Sequence, residues 1–183
     1  MSLAKSLGYS FILFITLNFL FALILAAITG IINDYFSGIA SDPLGLLITL
    51  FSPVLLAPGI HHIILVIGTL TGSLGSVFYL LLSLGYILTP IIAALVCGIK
   101  SEGKKEAFEA WFLTMLISTG IIIVAYFLGQ EISNIFGTLG MMGTSIDESG
   151  DIYIISYLLM NGYLNGIFYS AFAMLPAGIY SNY

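Results

Sequence analysis

The side chains best placed to do chemistry lie in the last apolar stretch of the chain. Tyr153, Tyr157, Asn161, Asn165 and Tyr169 follow one another at steps of four, which on a helix makes a slowly drifting ridge. Gly162, Gly166 and Ser170 form a neighbouring row of small residues, the G-x-x-x-G arrangement that lets a second backbone approach closely. Asparagine amides are costly in hydrocarbon unless hydrogen-bonded, so the ridge is expected to face protein or water. Two uses fit it. One is helix packing, within the chain or between subunits, with the amides bridging helices. The other is the wall of a polar pathway.

A second group gathers in the first half, where Pro53, Pro58 and Gly59 precede the adjacent pair His61 and His62. Proline and glycine at these points could build a discontinuous helix whose exposed ends bind ions, as in transporters and channels, or a plain structural kink. Adjacent histidines on a helix point about 100° apart. They would not ligate one ion together, and no Cys, Asp or Glu lies within a turn or two to complete a site. No metal site is therefore expected, and the histidines read as packing or interfacial residues, or as a proton-linked gate.

Other chemistry is thinly represented. G-x-S-x-G, H-E-x-x-H and a phosphate loop are all missing from the sequence, and an enzyme acting within a membrane would show clustered charged or nucleophilic groups. Neither an enzymatic activity nor a cofactor is expected. Asp147, Glu148 and Asp151 offer oxygen ligands without the alternating spacing of a calcium loop. Cys97 is the single cysteine and has no second thiol for a disulfide or a metal. With Lys5, Lys100, Lys104 and Lys105 as the only cationic residues besides histidine, no basic patch exists for nucleic acid.

The elements that must position these residues follow from composition. Of 183 residues, 60% are hydrophobic and only 7% charged, with a mean hydropathy of +1.13. Soluble domains average about 25% charged residues. The expectation is an all-α, polytopic integral membrane bundle of four to six segments, with residues 1–183 as a single transmembrane domain surrounded by the lipid bilayer. Spans are expected at Gly8–Ile32, Ser76–Ile99, Phe108–Leu128 and Ile152–Ile179, each long enough for the ~30 Å hydrocarbon core. The first could be taken for a signal peptide, but its apolar run is too long and no clear cleavage site follows.

Residues 44–72 are harder. Pro-Gly in mid-run divides them at Ala57-Pro58-Gly59 into pieces too short to cross alone. Lysines mark cytoplasmic loops. If Lys5 and the loop 100–105 are both cytoplasmic, an even number of crossings lies between them, and 44–72 enters and leaves on one side as a re-entrant hairpin. Five- and six-crossing arrangements are the alternatives. In the favoured orientation the protein sits in the cell membrane with the acidic loop 130–151 outside. Within that loop Ile132, Ile135, Phe136 and Leu139 sit at helical spacing, as a short interfacial helix would place them. Two functional classes follow: a non-catalytic subunit packing in a homo-oligomer or with other membrane subunits, and a small channel or transporter with a broken-helix pathway.

Overall fold

The computed structural model describes residues 3–55, 67–68, 70–72, 77–129 and 151–180. Regular structure in these residues is entirely helical. The elements are α1 (Leu3–Ile28), α2 (Ile32–Ser41), α3 (Gly45–Phe51) continued by a 3₁₀ turn (Ser52–Leu55), α4 (Val77–Ile99), α5 (Lys104–Phe127) and α6 (Asp151–Tyr180). Among the described residues, three helical stretches are long and apolar enough to cross a membrane: α1, Leu80–Ile99 of α4, and α5. The fourth long helix, α6, has 30 residues, about 45 Å at the helical rise.

Local chemistry explains where the helices stop. The span expected to run to Ile32 ends instead at Ile28, because Gly30 takes a φ of 75°, a left-handed conformation that suits glycine. The Ile31 N–H then reaches the Ala26 carbonyl at 2.9 Å and the Gly30 N–H reaches Ala27 at 3.2 Å, the paired bonds of a Schellman cap. Gly129, with φ 91°, closes α5 in a similar way. Pro90 lies buried inside α4 without breaking it. The amphipathic α2, with no buried residue, was not foreseen.

The four long helices form a ring. α1 packs on α4 and α5, and α6 packs on the same two, so α1 and α6 occupy opposite corners. The Ser6 hydroxyl lies 2.5 Å from Glu106 Oε1 and 3.1 Å from the Lys100 carbonyl. Lys100 Nζ stands 5.6 Å over the Tyr9 ring. The start of α1 and the loop from α4 to α5 therefore share one end of the bundle, the lysine end. Near it Gly98 of α4 lies against the Ala173 backbone of α6. The long helices thus alternate in direction, and the connection from α1 to α4 begins and finishes at the opposite end. Gly45–Leu55 enters from there and packs among α1, α5 and α6. This fits the entering limb of a hairpin. The expected break at Pro58-Gly59, like His61 and His62, lies outside the described residues. Within them the helix already tightens at Ser52-Pro53, one turn early.

The bundle is apolar outside and partly polar inside. Ile12, Leu20, Ile24, Leu88, Val124 and Ile167 are exposed, whereas Ser10, Asn18, Thr114, Ser118, Asn161 and Asn165 are buried. Lipid rather than water suits such an exterior. At the centre Trp111 meets the Phe14 and Tyr169 rings edge-on, at centroid distances of 6.0 and 6.3 Å.

Glycine contacts give a direct test of the packing. A Cβ on Gly98 would overlap the Ala173 carbonyl oxygen, whereas one on Gly120 would meet nothing. Gly98→Ala should destabilise the protein by about 1–3 kcal/mol, the usual cost of overpacking. Gly120→Ala should be neutral or stabilising by up to about 1 kcal/mol. Thermal unfolding of both variants in mild detergent reads the difference.

Candidate functional site

Inside an apolar bundle, a helical carbonyl that loses its N–H partner needs another donor. The Gly45–Leu55 segment has this problem in acute form, since Pro53 has no N–H to offer the preceding turn. Three side chains resolve it. The Ser52 hydroxyl donates to the Thr49 carbonyl at 3.1 Å. Asn18 of α1 donates its amide to the Leu50 carbonyl at 2.7 Å. Asn161 of α6 donates to the Leu55 carbonyl, also at 2.7 Å. Opposite corners of the ring therefore hold two carbonyls of one short segment.

The chain of donors continues down α6. Asn165 donates to the Asn161 carbonyl at 2.8 Å, and Trp111 Nε1 lies 3.5 Å from the Asn165 carbonyl. Asn161 keeps its amide oxygen buried with no hydrogen-bond partner.

Between α1, α3 and α4 the short segment leaves a cavity of about 250 Å³, lined among others by Asn18, Ala22, Ala26, Ser52, Leu82 and Tyr86. The Tyr86 hydroxyl hydrogen-bonds the Ser52 side chain. A second, more open cavity of about 360 Å³ lies under α2, with Asp34, Gly38, Ser41 and Asp42 in its wall. Tyr35 and Thr49 line both. The Tyr35 hydroxyl is buried beside Thr49, too loosely placed for a well-formed hydrogen bond. Burial pushes its pKa up, so it stays a neutral donor at physiological pH.

The residues singled out from sequence are partly brought together. Asn161, Asn165, Tyr169 and Ser170 are buried, and Tyr157 is half-buried. Tyr153 is 71% exposed. Steps of four advance about 40° beyond a full turn, so a ridge of this length cannot keep one face throughout. Gly162 and Gly166 meet Thr119 and the Phe112 ring of α5. The two glycines of this row thus pack within the chain. Pro53 is buried in the 3₁₀ turn. Pro58, Gly59, His61, His62 and most of the acidic loop 130–151, including Ile132 to Leu139, lie outside the described residues.

Asn18 is the functional residue that sequence reasoning missed. Its signal was present, since Ser6, Ser10, Phe14 and Asn18 recur at steps of four in the first helix and all four are buried. Ser10 accepts a hydrogen bond from Thr114 of α5 at 3.0 Å.

Fold and site together define an all-helical integral membrane bundle with the helical segment Gly45–Leu55 held among its long helices. Comparison with protein-family models, with curated proteins and with solved structures finds no match to this chain.

Removing either amide should loosen the same segment. Asn18→Leu leaves the Leu50 carbonyl buried and unpaired, at a cost of about 1–3 kcal/mol. Asn161→Leu strands Leu55 but also removes an acceptor that was already unsatisfied, so it should cost less. Hydrogen exchange across 45–55, followed by mass spectrometry, should accelerate in both variants and more strongly in Asn18→Leu.

Proposed function

We propose that this protein is a small channel or transporter of the cell membrane, with Gly45–Leu55 and its cavity on the solute's route. The observation that supports this reading is that Gly45–Leu55 lies within the bundle, bonded to α1 and α6, beside a cavity that adjoins a more open one at the acidic end. Transporters place binding sites where helices are interrupted at mid-membrane. A role confined to packing needs no such segment, and of the small-residue row, read as packing within the chain or between subunits, Gly162 and Gly166 lie against α5. By the positive-inside rule, the loop 100–105 is cytoplasmic and the end bearing Asp34 and Asp42 faces outward.

Thiol accessibility tests the route and the orientation together. In a Cys97→Ser background, Ser41→Cys should react with a membrane-impermeant thiol reagent added outside intact cells. Glu102→Cys should react only after permeabilisation. Ala22→Cys, in the wall of the inner cavity, should react from outside. If Ala22→Cys reacts from neither side, the cavity is sealed and the pathway reading falls.

One observation favours assembly as a second reading. Tyr163 is 53% exposed at about 18 Å along the axis of α6 from Asp151, and its ring rests on Phe112. Tyrosines in membranes prefer the interface, where the hydroxyl is wet. A copy of the chain or another membrane subunit against this face would give that hydroxyl a partner. Native mass spectrometry from mild detergent decides: a stable complex that Tyr163→Leu weakens supports the assembly, and a monomer alone rejects it.

A further inference from the structure

The inner cavity carries chemistry beyond that of a space-filling void. Asn18 is only 6% exposed, and its nitrogen is committed to the Leu50 carbonyl. The acceptor at Leu50 fixes the orientation of the amide, because an oxygen there would be repelled. The Asn18 oxygen makes no hydrogen bond among the described residues, and the residue lines the cavity. It asks for a donor. Tyr35 and Tyr86 bring aromatic rings to the same wall, surfaces that attract a cation when water is excluded. Ala22, Ala26, Ile48 and Leu82 supply apolar walls. Asp34 and Asp42 line the outer cavity, and among the described residues no basic one lines either cavity. An anion entering here would meet like charge at the mouth and a bare oxygen inside.

We propose that the two cavities form the entry and the seat of a binding site for a small organic cation, an amine with a compact apolar body. Its N–H group donates to the Asn18 oxygen, its charge lies near the tyrosine rings, and the carboxylates at the mouth raise its local concentration. This rests on the reading that the cavity is reached by water from the acidic end.

The test is calorimetric titration of the full chain in nanodiscs of zwitterionic lipid at neutral pH. The probes are benzylamine, which is then protonated, benzyl alcohol as its neutral counterpart, and benzoate. Benzylamine should bind at least about tenfold tighter than the alcohol, and benzoate should not bind. In the double variant Asp34→Asn, Asp42→Asn, whose altered side chains lie on the exposed surface, the ratio of amine to alcohol affinity should fall toward one. Ala22→Leu, which fills the cavity, should abolish binding of both. Equal affinity for amine and alcohol overturns the cation assignment while leaving a water-accessible site in place. Heat from none of the probes, or heat that Ala22→Leu leaves unchanged, overturns the site itself. The pathway reading then stands or falls separately on the reactivity of Ala22→Cys.

Discussion

Two asparagine amides on opposite sides of the bundle donate to the carbonyls of one short segment, and the arrangement of the rest depends on them. A buried backbone oxygen without a donor costs about 1–3 kcal/mol, and surrounding hydrocarbon offers no water to relieve it. Asn18 and Asn161 meet that demand at Leu50 and Leu55. Because they stand on α1 and α6, helices at opposite corners of the ring, the segment acts as a tie between elements that otherwise hardly touch.

The tie also explains the uneven packing. On the side toward α5 and the lysine end, the interior is filled by Phe14, Trp111, Met115 and Tyr169, each nearly or fully buried. Close approach is possible there because Gly98, Gly162 and Gly166 present no side chain to their neighbours. On the other side the cavity lies beside Ile48, Thr49 and Ser52 of the short segment, between it and α1 and α4.

Much of the architecture was legible in the residues. Long apolar runs bounded by charge located the four long helices to within a few positions, and the parity of the lysine-bearing ends is met by the contact of Ser6 with Lys100 and Glu106. The end of α1 was misplaced because hydropathy runs smoothly past Gly30, whereas the backbone turns there. Burial of Asn161 and Asn165 was expected from the cost of an amide in hydrocarbon, but the partner of Asn161, the Leu55 carbonyl, was not. A backbone oxygen carries no residue-type signal, so nothing in the sequence could name it. Asn18 lay in a run read only as a membrane span, and only its recurrence with Ser6, Ser10 and Phe14 set it apart. The helix α2 is amphipathic over too few turns to stand out beside longer apolar neighbours.

Those same hydrogen bonds impose an order on biogenesis. Asn18 is already in the membrane when Gly45–Leu55 leaves the ribosome, so the Leu50 carbonyl finds its donor at once across a separation of 32 residues. Leu55 must wait for a donor 106 residues downstream. Until α6 has been made and inserted, the Leu55 carbonyl lacks its Asn161 donor in a half-built bundle. Quality control that recognises unpaired polar groups in the bilayer would therefore have a signal in chains that lack α6, and would lose it when α6 docks.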